Sequence, residues 1–416
     1  MSGLRNKVAL VMVHTSPLEQ AGTGDAGGMN IYVIETAKRM AAVGVHVDIF
    51  TRRIDATQPD IVEYENGIRI IHLDLPLGVK KEEIPSLIPA MAEDFKNKIK
   101  NQGYQVIHSH YWISGKVAMP AAKEFGIPLV HTMHTMARVK NAALAEGENA
   151  EPMIRVQGET QIVEAAQALI ANTDAEAASL VGLYDACPDN VAVVMPGVDL
   201  YNFTPNRKDA RKNLGIDPKK LVISFVGRIQ PHKGPEVLIR AIQEMMIHNP
   251  ELRADLLVLI AGGASGVKNN EDIRLRELVN WLKLDDVIKF LEPISRDKLP
   301  DLYRSSDLVC VPSYSESFGL VALEAQACGT PVVASAVGGL RTAVADGISG
   351  VLVDGHNPRA WSSVLARLLM EPQRRILLSM GAVEHASHFG WDRTARGTLD
   401  VYDRLINHQP MAKYAP

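Results

Sequence analysis

Short runs of β-branched and aliphatic residues alternate with helical patterns, twice, along this chain of 416 residues. That alternation limits the folds open to it. In the first half, Val8–Val13, Val45–Phe50, Ile68–Leu73, Val106–His108, Pro128–His131 and Ala168–Ala171 read as strands. Asn30–Val43 has apolar residues at Ile31, Ile34, Ala37 and Ala41, the spacing of one helical face. The pattern breaks at Val191–Tyr201, where a strand meets Pro196-Gly197 and a polar linker runs on to about Lys220. The grammar then restarts. Leu221–Val226, Leu256–Ala261, Val287–Phe290, Leu308–Val311 and Val332–Ala334 read as strands, and Gly234–Met246 as a helix. A strand–helix–strand unit requires parallel pairing. The expected architecture is therefore α/β, with two Rossmann-like domains, 1–200 and 201–390, facing one another across a cleft. An amphipathic helix, Trp391–Asn407, lies in the C-terminal segment 391–416, where it can pack back on the first domain. Ligands of such sheets sit outside the carboxyl ends of the strands, so residues just after strands should line the cleft.

Composition excludes several classes. The balance of 44 Lys+Arg against 48 Asp+Glu gives a net charge of -4, so broad attraction to nucleic acid or anionic membrane has no support. Cys187, Cys310 and Cys328 lie far apart without a C-x-x-C pair, which argues against a disulfide framework and fits a reducing cytoplasm. No stretch approaches the ~18 apolar residues of a membrane span. Met1–Lys7 runs directly into a strand with no leader pattern.

Three loops follow strands and carry chemistry. The first, Gly22-Thr23-Gly24-Asp25-Ala26-Gly27-Gly28-Met29-Asn30, opens a helix whose N-terminal N–H groups suit a phosphate. Its text matches G-x-G-x-x-G, and Asp48 lies a fingerprint's distance downstream, so an NAD-dependent oxidoreductase is the rival reading. The dinucleotide turn leaves its strand directly, however, and here His14–Ala21 intervene with Pro17 among them. The second loop is Gly227-Arg228-Ile229-Gln230-Pro231-His232-Lys233-Gly234, where two cations beside a helix start suit a diphosphate. Taken singly, those cations would be read as solvated surface residues. The third loop runs from Pro312 to Ala325. Glu316 sits before a helix expected to start at Ser317 or Phe318, and Glu324 lies about two turns in, on an otherwise apolar run. A carboxylate there needs a partner, which is either a ribose diol or an ion pair within the domain. Two histidine groups, His108–Trp112 and His131–Thr135, end strands and are expected to line the cleft with polar groups. Their spacing does not match a zinc site.

Together, Glu316-x7-Glu324, the Gly227-Arg228…Lys233-Gly234 loop and the Gly27-Gly28 loop resemble the family 4 retaining glycosyltransferases of the GT-B fold. Within that family, His14–Leu18, Gly22–Asn30 and His108–Trp112 are similar to the branch that carries N-acetylglucosamine from UDP-GlcNAc to inositol 3-phosphate in mycothiol biosynthesis. The resemblance implies that Arg228 and Lys233 hold the diphosphate, Glu324 the ribose and Glu316 the donor sugar. Gly28 approaches the β-phosphate, with Gln20 also on the donor side, and His134 contacts the sugar near the reacting carbon. Lys81, Tyr111, Thr135 and Arg155 would hold the acceptor phosphate, with His14, Asp25 and Asn30 near the inositol. The resemblance also implies a homodimer and chemistry that needs no cofactor. It implies a structural magnesium near Tyr303, Arg304, Ser306 and Thr330. A related enzyme acting on an aminocyclitol or a sugar phosphate is the near alternative, and a binding protein without turnover the more distant one.

Overall fold

The computed structural model describes residues 7–19, 26–79, 81–144, 149–206, 209–263 and 271–410. The first sheet contains β1 (Lys7–Val11), β2 (His46–Arg52), β3 (Ile61–Glu65), β4 (Ile68–Leu73), β5 (Val106–His110), β6 (Leu129–Thr132), β7 (Ala168–Ala171) and β8 (Val191–Val193). Their spatial order is β3-β4-β2-β1-β5-β6-β7-β8. The second sheet contains β9 (Leu221–Val226), β10 (Leu256–Ala261), β11 (Ile288–Leu291), β12 (Leu308–Val311), β13 (Val332–Ser335) and β14 (Gly350–Val353), in the order β11-β10-β9-β12-β13-β14. In each half the first strand is internal, and the winding direction reverses beside it, between β1 and β5 and between β9 and β12. Ligands of doubly wound sheets bind at such reversals. The loops that leave β1, β5, β9 and β12 are the ones the sequence marks as chemical.

One strand departs from the expected parallel pattern. β3 pairs antiparallel with β4 through a short turn at Gly67. Its residues alternate between exposed and half-buried, so it carries little of the apolar signal that announces a core strand.

The helix Trp391–Ile406 packs on the helix Gly28–Ala42 and places Trp391, Ala395, Val401 and Tyr402 in the same apolar cluster as Val8, Leu10, Tyr32 and Val33. The chain therefore passes between the halves twice, and the two passages touch. Val198 N–H donates to the Phe389 carbonyl at 2.7 Å, and Thr394 Oγ1 donates to the Met195 carbonyl at 2.8 Å. A Cβ on Gly197 would fall 2.4 Å from the Trp391 nitrogen, so only glycine allows this approach. The polar stretch after Tyr201 is fixed to the second sheet. Arg211 donates to the carbonyls of Ser305, Pro218 and Lys220 and pairs with Asp307 at 2.8 Å. No helix among the described residues is long and apolar enough to cross a membrane, and Cys187, Cys310 and Cys328 are free thiols.

Asp48 does not face the cleft. It lies near the amino-terminal edge of the sheet, buried, and accepts from Arg69 at 2.8 and 2.7 Å and from the Tyr104 hydroxyl at 2.5 Å, with Lys7 at 3.3 Å. A carboxylate so engaged, on the edge opposite the strand ends, is not placed to hold a ribose, which removes the ground for the dehydrogenase reading.

The helix Asp174–Tyr184 starts with the spacing of a capping box. Thr173 Oγ1 accepts from Glu176 N–H at 3.1 Å, and Glu176 Oε2 accepts from Asn172 N–H at 2.8 Å. Glu176 is buried and its Oε1 has no hydrogen-bond partner. Burial raises its carboxyl to about 7. The folded state then holds a proton that the unfolded chain has released between about 4.5 and 7, so stability falls as pH rises through this window. Glu176→Gln keeps an acceptor for Asn172 without the charge. In thermal melts from pH 5 to pH 8, its midpoint is expected to gain on the wild type by a few degrees. Parallel curves across that range would show that Glu176 is not protonated in the fold.

Candidate active site

The loop after β9 is fixed by one glycine. Gly234 has φ +69°, and a Cβ there would fall 2.1 Å from the Pro312 carbonyl oxygen. This contact, with Tyr314 N–H donating to the His232 carbonyl at 2.8 Å, seats the Pro231–Lys233 turn against the loop after β12. Lys233 Nζ then reaches Glu316 Oε2 at 2.6 Å, and Ser313 Oγ donates to the same oxygen at 3.3 Å. The Glu316 backbone is held from behind. Gly338, at φ +44°, lies where a Cβ would come 2.3 Å from the Glu316 carbonyl oxygen, and Gly339 N–H donates to that oxygen at 2.8 Å. Lys233 and Glu316, predicted separately from two loops, are one ion pair.

The following helix, Leu320–Ala327, starts later than expected because Gly319 turns the chain at φ +104°. Glu324 is therefore little more than one turn in, not two. Its side chain is buried, and its partners belong to the protein. Arg296 Nη1 donates to Oε1 at 2.9 Å and the Tyr303 hydroxyl to Oε2 at 3.1 Å. Burial raises this carboxyl despite the neighbouring guanidinium. Arg296 stacks at 5.2 Å over Phe203, and its Nη2 has no hydrogen-bond partner. Sequence reasoning missed it, since Ile294-Ser295-Arg296 lies in a loop with no motif of its own.

The two halves meet at the strand ends. Ideal Cβ positions on Gly27 and Gly28 lie 3.8 Å from Arg228 Nε and 3.4 Å from Leu320 Cδ1. The positive end of the Gly28–Ala42 helix is thus set beside the Arg228 guanidinium. Asn30 locks that end. Its Oδ1 accepts from Thr15 Oγ1 at 3.0 Å and Gly27 N–H at 3.1 Å, and its Nδ2 donates to the Ser16 carbonyl at 2.7 Å. Across the seam, Ser317 Oγ donates to the His134 carbonyl. His134 sits at φ +58°, and burial holds its imidazole neutral, down to about 3.

The expected acceptor residues form a second cluster beside this contact. Arg155 Nη2 donates to the Thr135 carbonyl at 3.0 Å and to Thr135 Oγ1 at 2.8 Å, and the guanidinium lies 4.9 Å over the Tyr111 ring. The His14 ring packs at a tilt against Tyr111, with centroids 4.6 Å apart. Arg155 also pairs with Glu159 through Nε at 2.7 Å and with Glu151 through Nη1 at 2.9 Å. Of its five N–H groups only one on Nη1 is uncommitted. Gln20, Asp25 and the side chain of Lys81 lie outside the described residues.

One expectation changes here. His108 and His131 do not line the cleft. They are fully buried within the sheet, His108 bonded to the Tyr402 hydroxyl at 2.6 Å and Thr132 Oγ1 at 2.9 Å, His131 to Ser109 Oγ at 2.8 Å. β5 runs on to His110 and β6 to Thr132, past the expected ends at His108 and His131, so both histidines lie inside their strands. The side chains at the expected magnesium position do not suit that ion, which takes oxygen ligands and usually carboxylates. Tyr303 bonds Glu324, and Arg304 donates to the Thr204 and Asn202 carbonyls. Ser306 donates to the Leu302 carbonyl, and Thr330 to the Tyr303 carbonyl. Among the described residues no group of three His, Cys, Asp or Glu side chains could hold a metal ion.

Residues 26–201 match the family model described as Glycosyltransferase Family 4, and residues 206–380 match Glycosyl transferases group 1. A protein from Catenulispora acidiphila named D-inositol 3-phosphate glycosyltransferase 2 is 48% identical over 100% of this chain and 98% of its own length. A Salinispora tropica protein named D-inositol 3-phosphate glycosyltransferase is 50% identical over 97% of this chain and 86% of its own. Among solved structures, a sucrose-phosphate synthase from Thermosynechococcus elongatus superposes with a TM-score of 0.89 at 32% identity, covering 97% of this chain and 100% of that one.

The Arg296–Glu324 pair can be tested directly. Arg296→Met leaves a buried carboxylate without its cation and is expected to cost about 2–4 kcal/mol in denaturant melts. Glu324→Gln in that background is expected to recover a good part of it. Additive losses from the two substitutions would mean that the side chains are not coupled.

Proposed function

The chain belongs to the D-inositol 3-phosphate glycosyltransferase family of glycosyltransferases with the GT-B fold, and on that premise we propose that it transfers N-acetylglucosamine from UDP-GlcNAc to 1D-myo-inositol 3-phosphate with retention, as in mycothiol biosynthesis. One observation carries the reading. The loop that sets Glu316 on Lys233 also places Ser317 on the His134 carbonyl, one residue from the Thr135 hydroxyl held by Arg155. A donor gripped by the first group would meet an acceptor gripped by the second.

In this reading UDP departs as the bond from its β-phosphate oxygen to the sugar C1 breaks, and negative charge grows on that oxygen. Arg228, Lys233 and the N-terminus of the Gly28–Ala42 helix are fixed positive features around that charge. Glu316, engaged by Lys233 and Ser313, is read as a ligand for sugar hydroxyls rather than as a nucleophile. The acceptor hydroxyl attacks C1 on the face that UDP leaves, and its proton passes to the departing phosphate oxygen. Glu324, steadied by Arg296 and Tyr303, holds the ribose. The neutral His134 imidazole contributes a hydrogen bond without a charge. Closure of the two halves excludes water that would otherwise hydrolyse the donor. The resemblance also favours a homodimer in the cytoplasm.

The acceptor phosphate is read onto Tyr111, Thr135 and the remaining Arg155 N–H, with Lys81. The solved sucrose-phosphate synthase, at 32% identity, keeps a sugar phosphate acceptor as the second reading, but relatives at 48–50% favour the inositol phosphate.

Two substitutions separate the sides. Lys233→Ala is expected to lower turnover about 100-fold or more without unfolding the chain; wild-type turnover would remove the diphosphate assignment. Arg155→Ala is a poor probe because it leaves Glu159 in the interior without its cation. Thr135→Val is cleaner: KM for inositol 3-phosphate should rise about tenfold while KM for UDP-GlcNAc stays put, and equal changes in both would sink the acceptor assignment. The substrate itself is decided by UDP release from UDP-GlcNAc with inositol 3-phosphate, inositol 1-phosphate, free inositol and fructose 6-phosphate. Only the first is expected to give full turnover. Faster release with fructose 6-phosphate would establish the second reading.

A further inference from the structure

We propose that His110 is a positioning residue which fixes the His134 imidazole in its Nδ1–H tautomer, so that His134 presents a hydrogen-bond donor to the sugar of the nucleotide donor. The inference rests on the reading that places that sugar beside His134.

The argument starts from the number of protons. Burial keeps both imidazoles neutral, so each ring carries one N–H. His110 Nδ1 and His134 Nε2 are 3.0 Å apart, so one donates to the other. His110 Nε2 decides which. It is buried and has no hydrogen-bond partner. A proton there would be an orphaned N–H in the core, whereas an unused lone pair is the more tolerable deficit. The His110 proton therefore sits on Nδ1 and points at His134 Nε2. The one proton of His134 must then be on Nδ1, which has no partner among the described residues.

The surroundings leave little room for the opposite arrangement. His108 packs at a tilt against His110, with ring centroids 4.2 Å apart, but both of its nitrogens are taken, one by the Tyr402 hydroxyl and one by Thr132 Oγ1. It cannot turn to satisfy His110 Nε2. Tyr32 packs edge-on against His134 at 5.0 Å and lies 5.8 Å from His110, and Trp391 packs edge-on against Tyr32 at 5.8 Å. The His134 backbone is held by its left-handed turn and by Ser317. Tyr402 and Trp391 come from the helix Trp391–Ile406, so that helix backs His108 and Tyr32, the two rings packed around this histidine pair.

The test uses the full-length protein labelled with 15N-histidine. Two-bond nitrogen–proton correlations distinguish a protonated ring nitrogen from a bare one, and the His134 signals are those lost in His134→Ala. Protons on Nδ1 of both His134 and His110 are expected. A proton on His134 Nε2 would overturn the proposal. The kinetic arm compares His110→Asn with His110→Leu. The asparagine amide can donate from the place of Nδ1–H and should hold kcat within a few-fold, whereas leucine should lower kcat about tenfold with acceptor KM unchanged. Equal kcat for the two variants would also overturn it. Should the leucine variant not fold, the spectrum of the wild type decides alone. Full turnover by His134→Ala would instead remove the sugar-contact reading beneath the proposal. The Nε2–H tautomer in an enzyme that needs His134 would defeat the positioning role alone.

Discussion

Parallel pairing places the carboxyl ends of a sheet's strands on one edge, and the candidate site depends on that constraint twice. Residues as far apart in sequence as His14, Tyr111, His134, Lys233 and Glu316 all follow strands that run the same way within their own sheets. The reversals beside β1 and β9 open a crevice in each edge, and the seam between the halves joins the two crevices. The candidate site needs no special loop length to bring these groups together. It needs glycines where loops must press on one another, and Gly234 and Gly338 serve that purpose beside Lys233 and Glu316.

The charges around the seam are arranged in two ways. Lys233 and Glu316 are partly accessible and paired across two loops, so a ligand can compete for either. Arg155 and Glu159, by contrast, are an interior pair further tied to Ala137 and Tyr184, and their first duty is to shape the turn after β6. Removing one member of such a pair mostly reports the cost of leaving the other behind. The same holds for Arg296 and Glu324, where a guanidinium and a phenol stiffen a buried carboxylate.

Much of this was legible in the chain itself. The strand runs, the restart after Lys220 and the three loops all follow from periodicity and from residue types that make sense only after a strand. What escaped has physical reasons. β3 is an edge strand with little apolar content, so periodicity is silent there. Gly319 lies in an apolar run that does not announce its left-handed turn, so the helix starts at Leu320 and Glu324 lies nearer its beginning than the spacing predicts. His108 and His131 look like cleft residues because histidine at a strand end is polar. Here each finds a hydroxyl in the interior, at Tyr402, Thr132 or Ser109, and contacts between such distant positions leave no trace in local spacing. Arg296 belongs to a loop whose only distinction is the carboxylate it meets.

The paired passage between the halves has a mechanical meaning. A single linker would act as a ball joint, leaving one half free to swing and spin about the other. With the outgoing segment at Gly197-Val198 pressed against the returning one at Phe389–Trp391, torsion about either segment is resisted by its neighbour. What remains is bending across a narrow strip, closer to a door on its pin than to a bead on a string, so every opening and reclosing would bring the same faces into opposition.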